Sequence, residues 1–515
     1  MSSILLLTLA GPAILLVAAL TLTVSKGAAR SSRTSMLAVG ATYAALLSQL
    51  PGVVAVLSRG AKTSTFGEGG AEAPWVAVRS DAVTTTMVLV VSALGIVVVK
   101  HALGQLAGDP RRDAFVARIL ETLSASLLLA TAGTTPLFAL AWVGQSFGVH
   151  RLLTFFPERR SAMVAARKKF ALARVADVAL VSAFVATYRT TGTTVIDEIG
   201  TAAPSVAVLL VVAALAKAAQ LPFSGWLVDA VESPAPVSAL LHAGVLNGGA
   251  FVLLRFSEPI AHADAASAIG IVVGGTTAAL MSLSMSTQPS VKVGLAYSSA
   301  AHMGFTTALA ASGAHSFALV HLAAHSFYKA YSFLRSGDAA FEHATPAPLS
   351  GAKRYLFSLV GVGVAFAFVA WAGHMDIRGP GGVLASVAFV LGIATLSARA
   401  NAASTTSPLL ASCVAIVPLL ALFSIESVAA VLGHGAWAEE APHGGLVTAA
   451  SLVVCVELAA ASLAQETFGT WSRTPKGRIA YVAFRNGLFL NSLLDRVFGA
   501  YRVSPLLETA TTKGR

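Results

Sequence analysis

Lys217 stands in the stretch Leu215-Ala216-Lys217-Ala218-Ala219-Gln220-Leu221-Pro222, inside an apolar run and just ahead of a proline. Proline removes a backbone donor and breaks a helix. In hydrocarbon, a broken helix is tolerated only where its freed carbonyls and amides line a protein-buried or watered cavity. An ammonium group taken out of water gives up its proton more readily, so a lysine in such a place can exchange one. The alternative is a lysine held in place by helix-end carbonyls. A second group, His321, His325 and Lys329, is spaced four apart and descends one face of a helix. Imidazoles titrate near neutrality and pass a proton between their ring nitrogens. Two histidines at this spacing can also hold zinc, but no acidic or cysteine ligand accompanies them and Lys329 would repel a cation. Polar packing is the remaining alternative. His242, Lys292 and His302 lie in neighbouring apolar runs and extend the line. The pattern points to a proton path through Lys217, His242, Lys292, His302, His321, His325 and Lys329.

Other ionisable residues take accessory or structural places. Asp229 and Glu232 follow the break and can gather cations at its mouth or cap short helices. Glu121, Arg399, Glu426 and Glu457 are further charged groups in or beside apolar runs, Glu121 close to an end. Arg174 and Asp177, three apart, read as a structural ion pair. Arg255 is expected to snorkel from the end of its run to the surface. Pro222, Pro234 and Pro236 frame the break and the helix after it.

The elements that position these groups are membrane helices. Of 515 residues, 56% are hydrophobic and 11% charged, against about 25% charged in ordinary globular domains. That composition excludes an ordinary soluble enzyme. Apolar runs begin near residues 3, 35, 84, 118, 134, 170, 204, 236, 264, 291, 315, 354, 381, 408 and 444, each sufficient as a helix to cross about 30 Å of hydrocarbon. The expected fold is an all-α polytopic membrane protein with about 13–15 transmembrane helices. The net charge of +11 sits in short loops, where the positive-inside rule accounts for it without nucleic acid.

If the first run crosses outside to inside, one side collects Lys26, Arg30 and Arg33, then Arg111 and Arg112, then Arg159 to Arg174, and finally Arg473 to Arg502. The other side holds Asp197, Glu198, Glu258, Asp264, Glu439 and Glu440. This bias predicts an odd number of spans in a cell inner membrane, with the N-terminus outside and the C-terminus cytoplasmic. The Gly-rich stretch 59–81 reads as an ordinary external loop. Residues 477–503 read as an amphipathic segment that lies on membrane lipid or grips a partner. Cys413 and Cys455 sit in apolar runs, and no phosphate-cradling, dinucleotide or iron–sulfur motif is present, so no cofactor is expected on this chain.

Two blocks then carry a specific resemblance. Ala216 to Pro222 is followed by Trp226-Leu227-Val228-Asp229-Ala230-Val231-Glu232-Ser233-Pro234-Ala235-Pro236-Val237-Ser238-Ala239-Leu240-Leu241-His242-Ala243. Lys292-Val293-Gly294-Leu295-Ala296-Tyr297-Ser298-Ser299 is followed by His321 to Ala330. With weaker matches at Arg79 and Asp81, Gly108-Asp109, and Arg174 and Asp177, they resemble the proton-translocating, antiporter-like subunits of respiratory complex I (NuoL type), Mrp antiporters and DabB-type transporters.

The resemblance implies two inverted five-helix repeats, each with a broken helix. N-terminal helices would occupy 1–115, the repeats 116–260 and 261–405, C-terminal helices 406–470 and the tail 471–515. The break at Pro222 would have its counterpart at Gly373 to Gly382. The family usually pairs the lysine with a glutamate in the fifth span, but Leu140-Ala141-Trp142-Val143-Gly144 has none. The twelfth-span lysine is also absent, with His374 and Asp376 its nearest replacements.

The missing glutamate, and an end soon after Leu488, fit the short DabB type rather than the longer relatives. That resemblance implies a transport subunit with no catalytic site of its own. It would pass protons, or Na+, to drive hydration of CO2 to bicarbonate by a zinc-containing DabA-like partner in a hetero-oligomer. A proton-pumping subunit of a complex I-like assembly, an Mrp-type Na+/H+ antiporter subunit and a passive membrane anchor are the other expectations.

Overall fold

The computed structural model describes residues 7–24, 31–60, 62–65, 74–340, 351–372, 379–403 and 444–498, nearly all of them helical. Helices α1 (Ala10–Val24), α2 (Ser31–Arg59), α3 (Ala82–Gln105) and α4 (Arg112–Thr131) lead into α5 (Thr135–Leu153) and the long α6 (Arg160–Thr191). Then come the short α7 (Pro204–Lys217), α8 (Ala235–Leu240), a π-helical turn at Leu241–Val245, and α9 (Asn247–Arg255). The second half holds α10 (Asp264–Ser286), α11 (Val291–Ala311), α12 (His315–Leu334), α13 (Ala352–Ala372), α14 (Pro380–Ala403) and α15 (Gly445–Glu466). The tail holds α16 (Pro475–Arg485) and α17 (Leu490–Phe498). A helix thus stands at each expected apolar run, except that the run beginning near 408 lies outside the described residues.

Among the described residues, nine helices are long and apolar enough to cross a membrane, and Pro204–Lys217 is a shorter apolar helix. Helices α5, α11 and α12, of 19, 21 and 20 residues, have the length but are not among the nine. They carry Gln145, Lys292, His302, His321, His325 and Lys329, and these polar residues lower their hydropathy. The chain is a multi-pass membrane protein. Its centre is the α8–α9 segment, 94% of which is buried, whereas α2 and α15 are only 33% buried and form the rim.

Local signals set the helix ends. Asp81 caps α3 by accepting from the Thr84 amide at 2.7 Å, and Thr474 caps α16 by accepting from the Gly477 amide at 3.1 Å. Proline stands in the first turn of α5, α7, α8 and α16, where its missing N–H costs nothing. Gly192, at φ +72°, closes α6 in the left-handed conformation.

Loop contacts sort the two ends of the bundle. On one face Arg111 pairs with Glu158 at 3.0 Å, and Arg159 donates to the Glu232 carbonyl at 2.6 Å. On the opposite face Arg79 pairs with Asp197 at 2.6 Å, and Thr194 donates to the Pro74 carbonyl at 2.6 Å. We call these the basic and the acidic face.

Two expectations need correction. The stretch 59–81 is not merely a loop: β1 (Lys62–Thr65) and β2 (Ala77–Ser80) pair antiparallel, Lys62 opposite Ser80 and Thr65 opposite Ala77. Thr63 and Arg79 both reach Asp197, which ties this hairpin to the α6–α7 connection. Helix α6 begins at Arg160, ten residues ahead of the apolar run. Lys168 and Lys169 are therefore buried helical residues rather than loop cations.

Candidate functional site

Helix α7 ends at Lys217, its last residue. Beyond it the chain turns sharply, with Ala219 at φ +52° and a cis peptide before Pro222. The backbone groups freed by this break are taken up locally. The Gln220 amide donates to the Leu215 carbonyl at 2.9 Å, and the Leu221 amide to the Thr277 hydroxyl at 3.1 Å. Pro234 and Pro236 start α8, which returns the chain to the centre of the bundle. The break expected at Pro222 is therefore present, and it delivers a lysine at a helix C-terminus, where the helix dipole favours a cation.

The Lys217 ammonium lies 4.0 Å from the Trp142 ring centroid and 3.4 Å from the Trp142 carbonyl oxygen. Trp142 in turn donates its indole N–H to Asp177 at 2.9 Å, and Asp177 pairs with Arg174 at 2.6 Å. The Arg174–Asp177 pair is thus formed as expected, but through Trp142 it also joins the surroundings of Lys217. Gly248 of α9 packs on the lysine. A Cβ there would lie 3.2 Å from Lys217 Cε, close enough to press on the lysine stem, and 3.8 Å from Gln145 Oε1, an ordinary contact. Gln145, just beyond the stretch that lacks the family glutamate, donates to Ser126 at 3.0 Å and turns a buried Oε1 that has no protein partner.

The neighbouring Asn247 carries the line across to α12. Its Nδ2 donates to Ser326 Oγ at 2.7 Å and to the Ala243 carbonyl at 2.8 Å. Ser326 stands beside His325, and around His325 the imidazoles gather. His302 Nδ1 and His321 Nε2 are 3.2 Å apart, and the rings of His302 and His325 are 5.2 Å apart. The Lys329 ammonium donates to the Leu295 carbonyl at 3.1 Å. His242, in the π-helical turn, stacks on Phe333 at 4.3 Å. Both ring nitrogens of His242 and of His325 are buried without a protein partner, as are Gln220 Oε1 and Asn247 Oδ1. Buried polar atoms are nearly always hydrogen-bonded, to ordered water where no protein group serves.

The structure gathers the half-buried His302 and His321 with the buried His325, sets Lys329 one turn further along the same helix, and links Lys217 to them through Gly248, Asn247 and Ser326. Lys292 does not join them: it lies half-buried in the first turn of α11, ten residues and about 15 Å of helix from His302. Glu121 belongs to a cluster at the basic face, accepting from Arg118 at 2.9 Å and Arg151 at 2.7 Å. Arg399 pairs with the buried Glu466 at 2.7 Å, and Glu457 accepts from Thr276 at 2.9 Å. His374, Asp376 and Glu426 lie outside the described residues, as does most of the break expected at Gly373 to Gly382. Asp229 binds Lys168 at 2.6 Å, and Glu232 is exposed.

Arg255 corrects an expectation. It does not snorkel: its side chain is fully buried and donates to Asp81 at 2.8 Å, Thr84 at 2.7 Å and the Ala130 carbonyl at 3.0 Å. Helices distant in sequence supply acceptors for both terminal nitrogens, while Nε is buried without a protein partner, so most of the guanidinium is satisfied without reaching water. Sequence reasoning also missed Trp142, Gln145, Asn247 and Ser326, which bear no charge. It missed Lys169 too, whose ammonium donates to the Ser146 carbonyl at 2.6 Å and hydroxyl at 2.9 Å. Among the described residues no group of three or more His, Cys, Asp or Glu converges as a metal site would require.

Residues 132–363 match the family model described as NADH:quinone oxidoreductase/Mrp antiporter, TM. A probable inorganic carbon transporter subunit DabB from Hydrogenovibrio crunogenus is 39% identical over 275 residues, 51% of this chain and 53% of that protein. The DabB2 subunit of Halothiobacillus neapolitanus is 32% identical over 448 residues, 84% of this chain and 76% of that protein. The NADH-quinone oxidoreductase subunit L of Mycobacterium tuberculosis is 31% identical over 268 residues, 50% of this chain and 42% of that protein. In fold the chain is similar to a chain of the Mrp complex from a Dietzia species, with TM-score 0.65 and 21% identity over 99% of this chain and 61% of that one. The two DabB relatives are named as transporter subunits, and the Mycobacterium tuberculosis relative as a subunit of an oxidoreductase. The broken helix at Lys217, the histidine and lysine zone it faces, and these matches together place the chain in the family of antiporter-like membrane subunits that includes the DabB inorganic carbon transporter subunits.

Proposed function

We propose that this chain is the ion-translocating subunit of an energy-coupled inorganic carbon pump, that the ion is the proton, and that flow through it drives CO2 hydration on a zinc-containing DabA-like partner. The observation that carries the reading is the run of buried polar atoms without protein partners between Lys217 and His325. Gln145 Oε1, Gln220 Oε1, Asn247 Oδ1 and the nitrogens of His242 and His325 lie among α5, the α7 break, α8–α9 and α12. The amide oxygens accept and each neutral imidazole offers one donor and one acceptor, a set that ordered water would link.

In this scheme Lys217 takes a proton at Nζ. The Trp142 ring and carbonyl, the C-terminal carbonyls of α7 and the nearby Asp177 stabilise the charged form. Release passes the proton to His325 through water held on Asn247 Oδ1 and the open His325 nitrogens, with Asn247 and Ser326 positioning that water, then to the His302–His321 pair and Lys329. The repeats at 116–260 and 261–405 would supply one stage each. The bias of basic residues towards the Lys168 face would put that face in the cytoplasm and the chain in a cell inner membrane. The names of the two DabB relatives support the carbon substrate, and the family match supports the ion path.

The test is purification from detergent-solubilised membranes with zinc analysis of whatever accompanies the chain, followed by growth of Lys217→Ala cells at low CO2. A zinc-bearing partner and loss of growth are the expected results. A flavin or iron–sulfur partner would instead favour the second reading, a proton-pumping subunit of a respiratory or Mrp-type assembly, which the subunit L relative supports. A variant that grows and conducts normally would leave only a membrane anchor.

A further inference from the structure

The tail lies on the surface with Ile479, Leu493 and Val497 exposed, and its inner side packs on the loop that follows the broken helix. At the basic face the loop after the break forms a short helical turn at Phe223–Trp226 and a second at Asp229–Glu232. Helix α17 lies across the first. A Cβ on Gly225 would come within 2.9 Å of the Asn491 backbone and of Leu494, so the two segments meet with no side chain between them.

Beside this contact Lys168 is fully buried and is held from three directions. It donates to Asp229 at 2.6 Å and to Asn491 Oδ1 at 2.7 Å, and it is ion-paired with Asp495. Asn491 closes the ring by donating to the other oxygen of Asp229 at 3.0 Å. A second anchor lies upstream, where Gln288 donates to the Arg485 carbonyl at 3.1 Å. Between the anchors the chain bends through Gly487, Leu488 and Phe489, all at positive φ, of +56°, +57° and +59°. Two consecutive non-glycine residues in that region are strained and persist only where the surroundings hold them. The docking of α16 and α17 therefore carries a backbone strain that their release would relieve.

We propose that residues 475–498 form a strap closing the basic-face mouth of the broken helix, with Lys168, Asp229, Asn491 and Asp495 as its latch, and that cations reach Lys217 from that face only when the latch opens. The proposal rests on the ion-translocation reading. Asp229 is the carboxylate nearest the mouth in this cluster. While it neutralises Lys168 it attracts no incoming cation, and freed from Asn491 it faces solvent. Asp229, Asn491, Asp495 and Lys168 are thus positioning residues that act on the route rather than carriers of the ion.

The test uses the full chain, with whatever partner co-purifies, in a background where Cys413 and Cys455 are replaced by alanine. Ser224→Cys places a thiol at a position that is 6% exposed behind the strap. With the latch intact its reaction with a hydrophilic maleimide should be slow, and in the Asn491→Ala/Asp495→Ala variant it should rise about tenfold or more. The same latch variant in proteoliposomes should pass protons down a pH gradient faster than the unaltered chain. Leu494→Ala trims the contact on Gly225 without touching a charge, and it should give a smaller rise in both readouts if the double variant does not assemble.

Equal labelling with and without the latch overturns the closure. Open labelling with unchanged or lower proton flux overturns the gate. Lys217→Ala separates the two readings: if it conducts normally the ion-path reading fails, whereas labelling at position 224 still decides whether the strap covers the mouth.

Discussion

Replacing Gln145 by glutamate would put a carboxylate back beside Lys217, near the span where related subunits carry one, and the geometry says what it would do. Gln145 Oε1 and Lys217 Cε both approach the same point on Gly248, at 3.8 and 3.2 Å, and Nζ lies one bond beyond Cε, so the new charge and the ammonium would lie within about 8.5 Å. At an effective dielectric near 20, their attraction is about 2 kcal/mol. That energy favours the charged lysine and must be overcome each time it gives up a proton, a factor of about thirty.

Gln145→Glu should therefore slow proton flux by about thirtyfold at pH 7 in proteoliposomes loaded with a pH-sensitive dye, with much of the loss recovered as the pH is raised. Gln145→Leu removes the amide without adding charge and should show no such recovery. Equal or faster flux for Gln145→Glu across the pH range would refute the idea that the lysine here works with neutral partners and a distant carboxylate.

Three further outcomes follow from the buried contacts. His242→Phe keeps the stack on Phe333 but deletes two buried nitrogens that have no protein partner; it should raise thermal stability by about 1 kcal/mol while cutting flux at least tenfold, as about 1–3 kcal/mol is the cost of an unsatisfied buried group. Arg255→Met strands the buried Asp81 with Arg79 as its remaining ion-pair partner and should cost about 3 kcal/mol in a detergent melting assay, whereas Arg255→Met/Asp81→Asn should recover much of that. The pH dependence of the pair is fixed in sign: burial alone favours neutral Asp81, but Arg255, Arg79 and the Thr84 amide hold its carboxyl below its ordinary value of 3.8. Its contribution is full above that value and drains away as the pH falls through the folded-state value, so melting should be flat with respect to this pair from pH 5 to 8 and fall below about pH 4. The double variant should lose that acid-side component.

What could be read in advance, and what could not, divides along a physical line. Hydrophobic runs, prolines and charges are properties of a segment, so the helices, the break at Pro222 and the cost of Lys217 in hydrocarbon are all visible in the sequence. Partners are properties of two segments. Arg255 looked like a snorkelling cation because its own helix ends nearby, yet its carboxylate is 174 residues away. Lys168 looked like a loop cation because hydropathy averages place charge outside a span, yet it is fully buried among residues 61 and 323 positions further on. Trp142, Gln145 and Asn247 gave no signal, because a tryptophan or a neutral amide in an apolar helix costs too little to be conspicuous. Their importance arises only where α5, α7, α9 and α12 meet. An expensive charge in a membrane segment therefore announces that a partner exists, and its cost sets how complete the partner set must be. Lys217 tests this inference: among the described residues its one hydrogen bond is a long one to the Trp142 carbonyl, fewer than those around Arg255 and Lys168. An ammonium with so few acceptors is the least tethered of the three, while the arginine, bonded through both terminal nitrogens, and the latched lysine are suited to holding the bundle and its strap in place.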